Sequence, residues 1–160
     1  MQKNNAHRVT ASQVMDSNPS ILHMDETIGY GVGLVMKHRY RNIPVVDSEG
    51  RYHGMFGVNS LLRLVLPQAA VFERGLSSIP FVAESLRDLR IRLKSVEDKP
   101  VTYCMSEHIE VVAPDTLLVE TMLKLYKTRS SLPVVEPESG RLYGMISYWD
   151  IGAKILEQEI

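Results

Sequence analysis

One cysteine in 160 residues, Cys104, excludes an internal disulfide and fits a reducing compartment. Long apolar runs are missing too, and none approaches the length of a bilayer span. The opening residues, MQKNNAHRVT, have no apolar core of the signal-peptide kind, so a cytoplasmic location and no membrane contact are expected. The chain has almost no excess charge. A net of −1 creates no field that would draw it to nucleic acid. The histidines (His7, His23, His38, His53 and His108) are scattered, with no His-x-x-x-His pair, so no metal site is expected. No nucleophile elbow surrounds any serine, although Ser147, Asp150 and a histidine supply the letters of a hydrolase triad. Gly29, Gly31 and Gly33 do not make a dinucleotide fingerprint, because Leu34 stands where the third glycine belongs. They read as close packing of a helix. No catalytic residue is assigned, and the chain is not expected to be an enzyme.

What is present is an internal repeat. Apolar residues make up 44% and charged residues 23%, an ordinary globular balance, in a length that suits one domain or two small units sharing a core. Residues 43–56 read IPVVDSEGRYHGMF, and residues 132–146 read LPVVEPESGRLYGMI. The match extends upstream: Thr27 lies 17 residues before Pro44, and Thr116 lies 17 before Pro133. Met15 and Met105 precede those threonines by 12 and 11 residues. A shared offset of 89 or 90 across so many landmarks marks a duplication.

Each copy implies the same local structure. Ile43, Val45 and Val46, like Leu132, Val134 and Val135, suit a strand. A polar turn follows, with Gly50 or Gly140 free to take positive φ, and Arg51 to Gly57 or Arg141 to Ser147 returns as a second strand. Thr27 and Thr116 are predicted to cap the preceding helices, with Ile28, Val32, Val35 and Met36 on one apolar face and Leu118, Met122 and Leu125 on the other. A helix follows each hairpin, Val58 to Leu66 and Trp149 to Leu156, and short extended segments, Ile21 to His23 and Glu110 to Val112, precede the capped helices. The fold class is therefore α/β (α+β): two tandem repeats, each a three-stranded sheet with two helices, packed as a pseudo-twofold pair with a cleft between them.

The expected boundaries are 1–66 for the first repeat, 67–99 for a helical insert and 100–160 for the second repeat. In the insert, Val82, Leu86, Leu89 and Leu93 form a helical stripe with Pro80 in its first turn, and its charged residues read as a solvated face. Cys104 reads as a buried inert thiol, and Trp149 as a packing residue.

The ordered set resembles the CBS domain, named for cystathionine β-synthase. It comprises a leading Met, a short strand, Asp-Thr opening a helix, Pro-Val-Val-acidic, and a closing Gly-hydrophobic-hydrophobic-Ser-x-x-Asp. The second copy matches closely, from Val101 through Ile151, and the first in outline. The resemblance implies a stand-alone regulatory pair that binds an adenosyl ligand (AMP, ADP, ATP or S-adenosylmethionine) in the cleft. That molecule would be a regulatory ligand and not a cofactor. It implies that Asp150 holds the ribose hydroxyls and that Ser147 reaches ribose or phosphate. Ser106, Ile109 and Val111 would lie against the base, Ser130, Ser131 and Pro133 would contribute beside them, and Arg41 or Arg129 would meet a phosphate. It implies a homodimer as well, and an output passed through another protein or through oligomeric state. The first copy departs from the pattern: Gly57 replaces the Ser or Thr and Ser60 replaces the Asp. Asn42 and Ser131 stand where phosphate-binding members carry Arg. One adenosyl site per chain, built around Asp150, is expected. The alternative is a ligand-free module acting through protein interaction and dimerisation.

Overall fold

A computed structural model describes residues 8–66 and 85–158, which form two compact units. Six helices and five strands are found among these residues. In chain order they are α1 (Ala11–Val14), β1 (Leu22–His23), α2 (Ile28–His38), β2 (Asn42–Val46), β3 (Tyr52–Gly57), α3 (Val58–Val65), α4 (Leu86–Lys94), α5 (Leu118–Thr128), β4 (Leu132–Val135), β5 (Leu142–Ile146) and α6 (Tyr148–Leu156). A 3-10 turn spans Val101–Tyr103.

The units do not follow the order of the chain. One comprises Met1–Ile21, Val46–His53 and His108–Ile160; the other comprises Leu22–Val45 and Gly54–Glu107. The segment that leads the first repeat thus belongs with the helices and strands of the second, and the segment around Ser106 belongs with those of the first. The reason lies at the free edge of each hairpin. Asp16 and Met145 exchange both backbone hydrogen bonds, at 2.8 and 2.9 Å, and Ser106 and Met55 do the same at 2.8 and 2.9 Å. Gly144 and Gly54 permit the approach. A Cβ on Gly144 would lie 2.3 Å from the Asp16 carbonyl oxygen, and one on Gly54 would lie 2.8 Å from that of Ser106. The repeated Gly-Met pair therefore marks the crossing of an extended segment over a strand edge.

Within the second unit, β1, β2 and β3 form the expected three-stranded sheet in that order. Leu22, Ile28, Val35, Ile43, Val45, Phe56, Val101 and Cys104 make its core. Gly31 lets α2 approach Phe56, where an added Cβ would come within 2.9 Å of the ring. In the first unit, β4 and β5 form a two-stranded antiparallel ladder. The third strand expected from Glu110 to Val112 contributes only a single parallel bridge, Val112 to Val134. The core there is Ala11, Val14, Val112, Leu125, Leu132, Val134, Ile146 and Ile151. Each buried aliphatic side chain contributes about 1.5–3 kcal/mol.

Local signals are met unevenly. The Thr27 hydroxyl accepts the Tyr30 N–H at 3.2 Å and caps α2 as expected. Thr116 does not cap α5. Its hydroxyl accepts the Ala113 N–H within the preceding turn, and the cap position falls on Leu117. Met36 and Met122 share the apolar faces by periodicity but are exposed, because each core takes only the centre of its helical stripe. Gly50 and Gly140 take the positive φ expected of them, at 77° and 72°. Ser85 opens α4, accepting the Asp88 N–H, so the helix starts after Pro80. Pro80 and Val82 lie outside the described residues. Leu89 and Leu93 are half-buried, whereas Leu86 is 85% exposed. The Arg92 guanidinium donates to the Val65 carbonyl at 2.8 Å, tying α4 to the last turn of α3.

Candidate ligand site at the start of the last helix

Strand β5 ends at Ile146 and runs directly into α6, with Ser147 at its N-cap. Leu132 pairs with Ile146, so the residue before β4 and the residue after β5 emerge at the same end of the ladder. Ser130, Ser131 and Ser147 are gathered there, all half-buried, with Asp150 one turn into α6. The Val112 N–H donates to the Pro133 carbonyl at 3.0 Å, which sets Val112 against the outer edge of β4. Ile109 is half-buried, Val111 exposed and Pro133 buried. Arg129 is exposed in a left-handed conformation, φ 52°, at the C-cap of α5; Arg39 repeats that conformation at the end of α2. Ser106 lies in the other unit, paired with Met55.

The chemistry of the site centres on Asp150. Its Oδ2 accepts two hydrogen bonds, from the Ser147 backbone N–H at 2.7 Å and from the Ser147 hydroxyl at 2.6 Å. Its Oδ1 has no hydrogen-bond partner among the described residues. A half-buried carboxylate with one oxygen held and the other open, at a helix N-terminus, suits a neutral ligand group with hydroxyls to donate. The neighbouring Tyr148 turns its hydroxyl onto the Leu125 carbonyl and joins α6 to α5. Trp149 does not pack into the core of its unit: it is 86% exposed. With Tyr148, Gly152, Ala153 and Leu156 it lines an apolar surface groove of about 540 Å³ on α6.

A further cavity, about 200 Å³, lies along β5 in the same unit. Its walls include Ser17, Asn18, Pro19 and Ile21 from the crossing segment, with Leu142, Tyr143 and Gly144 opposite. None of these carries a ligand-site signal in the sequence. The leading Met was the only signal, and it occurs in both copies.

The corresponding place in the first repeat is filled. Gly57 caps α3, and a Cβ there would lie 2.1 Å from the Arg41 carbonyl oxygen and 2.5 Å from Asn42 Oδ1. Ser60, where Asp150 has its counterpart, is buried, and its hydroxyl accepts the Gly57 N–H at a long 3.4 Å. No side chain can stand where Ser147 stands, and there is no carboxylate to meet a diol.

Other titratable groups have structural explanations. Cys104 is buried, and burial pushes its thiol up to about 11, which keeps it protonated and unreactive. Asp47 holds Arg51 and His53, each at 2.9 Å, in the β2–β3 turn. The Tyr52 hydroxyl is buried with no hydrogen-bond partner among the described residues, and burial pushes its pKa upwards. Among the described residues, no group of three or more His, Cys, Asp or Glu could hold a metal ion, and no helix is long and apolar enough to cross a membrane.

The family model for the CBS domain matches residues 11–67 and 96–157. Solved structures share the fold. A putative acetoin utilization protein, AcuB, from Vibrio cholerae is 20% identical with a TM-score of 0.69, over 94% of each chain. CBSX2, solved in complex with AMP, is 19% identical with a TM-score of 0.67, over 92% of this chain and 96% of its own. The CBS domain pair of protein MJ0100, solved with 5′-methylthioadenosine and S-adenosylmethionine, is 14% identical with a TM-score of 0.61, over 95% and 99%. No curated protein sequence matches the chain significantly.

Proposed function

Because this chain belongs to the CBS domain family and carries two copies of that domain, we propose that it is a regulatory module that binds one adenosyl ligand through its second repeat and is not itself an enzyme. The observation that carries this reading is Asp150. Its free Oδ1 is the acceptor for the ribose hydroxyls, and the closed first-repeat counterpart leaves one such acceptor per chain. Ser130 and Ser131 stand at the same end of the ladder as Ser147, and Ile109, Val111 and Pro133 are proposed to complete the site. Within this unit the cavity of about 200 Å³ beside Gly144, with Pro19, Ile21, Leu142 and Tyr143 among its walls beside the polar Ser17 and Asn18, is the proposed place for the base. The solved relatives that hold AMP, S-adenosylmethionine or methylthioadenosine all carry an adenosyl group, and that group defines the proposed ligand class. With Asn42 and Ser131 uncharged, Arg129 is the cation proposed for any phosphate.

Isothermal titration of the protein with AMP, ADP, ATP, adenosine and S-adenosylmethionine, alongside Asp150→Ala, tests the reading. Saturable binding that is lost in Asp150→Ala is expected. Binding of equal strength in the variant sinks the site, and no binding to any of the five sinks the ligand class.

A second reading, interaction through dimerisation, is favoured by one feature. Helices α5 and α6 expose Val119, Tyr126, Trp149 and Leu156, large apolar side chains of the kind that an interface covers. We assign this face to a homodimer. Sedimentation of the wild type and of Trp149→Glu distinguishes the two: a dimer that becomes a monomer in the variant is expected, and a monomeric wild type overturns the assignment.

A further inference from the structure

Helix α4 lies between the two stretches, 11–67 and 96–157, that the family model matches, so the repeats do not account for it. It has nine residues, and none is fully buried. A helix that short is marginal in water unless its surroundings hold it. Here they do. Ser85 and Asp88 close its first turn, and Leu93 packs against the core of the second unit. Two of its arginines serve as ties: Arg92 donates to the Val65 carbonyl, and Arg90 pairs with Glu97 at 3.0 Å.

The other two cations take no part in this. Arg87 and Lys94 are exposed, and neither side chain has a hydrogen bond or ion pair among the described residues. With Ile91, 56% exposed, they stand at spacings of four and three, which places all three on one outward stripe. Leu86, at the start of the helix, adds further exposed apolar surface. The one carboxylate on α4, Asp88, is bound at 2.6 and 2.9 Å to the Ser85 hydroxyl and N–H. The adjoining α3 carries Arg63 and no carboxylate. A chain of net charge −1 thus keeps a local surplus of positive charge here, around an uncovered isoleucine.

We propose that the outward stripe of α4 docks an acidic, amphipathic helical segment of another protein, with an apolar side chain on Ile91 and carboxylates on Arg87 and Lys94. The chemistry favours this occupant. A nucleic acid backbone would meet the cations but leave Ile91 uncovered. A membrane surface takes up a broader apolar face than Ile91 and Leu86 provide. A second copy is poorly matched in charge, because its exposed helices α5 and α6 carry Lys124, Lys127 and Lys154 against Glu120 and Asp150. The stripe belongs to the unit that does not contain Asp150, so docking there is independent of the adenosyl reading.

The test uses a fluorescent peptide of about 20 residues, long enough to form a helix, rich in glutamate and with leucines three and four apart. It is titrated by anisotropy into the wild type, Arg87→Glu/Lys94→Glu, Ile91→Ser and the control Lys127→Glu, with thermal melts to show that each is folded. The comparison probes are the same residues reordered to scatter the leucines, a single-stranded oligonucleotide and phosphatidylserine vesicles. The patterned peptide should bind the wild type saturably and more tightly than any comparison probe. The double charge reversal should weaken it by about tenfold or more, Ile91→Ser by about fivefold, and Lys127→Glu not at all. No binding of the patterned peptide, equal binding of the scattered one, or unchanged affinity in the double variant overturns the proposal. Tighter binding of the oligonucleotide or the vesicles also overturns it, and makes the stripe a general surface for anions.

Discussion

Replacing Gly144 by alanine should be among the most damaging single-methyl changes available to this chain. The added Cβ would lie 2.3 Å from the Asp16 carbonyl oxygen and 2.9 Å from Met15 Sδ. The methionine can move, but the carbonyl belongs to a backbone held by two hydrogen bonds, Asp16 N–H to Met145 O and Met145 N–H to Asp16 O. Relief requires the crossing segment to lift from β5, which breaks both bonds, each contributing about 1 kcal/mol, and disturbs the packing of Ala11 and Val14 just upstream. Overpacking alone costs about 1–3 kcal/mol. A total near 3 kcal/mol follows, or a fall in Tm of about 6–12 °C for a chain of this size. Urea unfolding gives the stability change, and amide hydrogen exchange at Met145 and Asp16 reports whether the edge pairing is what was lost. A Gly144→Ala protein within about 0.5 kcal/mol of wild type, or one with full protection at Met145, would refute the argument that this glycine exists for the crossing.

Gly33 provides the opposite case. It lies in the middle of α2 with nothing within 4 Å of an added Cβ, so Gly33→Ala should stabilise the protein by about 1 kcal/mol, read by the same unfolding assay. Tyr52→Phe removes a buried hydroxyl that has no partner among the described residues, and should leave stability unchanged or raise it by about 1 kcal/mol; a clear loss would reveal a partner for that oxygen. Asp47 has its carboxyl held well below the usual carboxylate range, by the His53 hydrogen bond first and then by Arg51. Its contribution is therefore present above its unfolded value of about 4 and is lost as pH falls towards the folded one. Asp47→Asn should be less stable than wild type at pH 7 and should converge with it in acid; a gap that stays constant with pH refutes the assignment.

Much of the architecture follows from local chemistry. The Pro-Val-Val runs, the turns at Gly50 and Gly140, the returning strands and the helices after them depend on residues within a few positions of one another, and each is found within about a residue of its expected bounds. Thr27 caps α2 because a hydroxyl at that point needs nothing from elsewhere in the chain. The Ser147 and Asp150 pair could be found because both partners lie in one helical turn. Where a local signal had a competitor, it lost. Thr116 found a donor in its own turn, and Met36 and Met122 had apolar character but no core left to enter.

What the sequence by itself determined is the duplication, its family and the asymmetry between an intact second motif and a degenerate first one. Only the tertiary structure decided which leading segment pairs with which hairpin. Met15 and Met105 head nearly identical extended stretches, and a strand edge accepts any extended backbone, because its hydrogen bonds carry no side-chain code. The choice is made by packing. Ala11 and Val14 are buried with Leu132 and Ile146, whereas Val101 and Cys104 are buried with Ile43 and Phe56. That choice puts Ser17 to Ile21, and not Ser106, in the unit that holds Asp150. The same packing decides that Trp149, apolar by composition, faces outwards, since the core beneath α6 is already filled by Ile151.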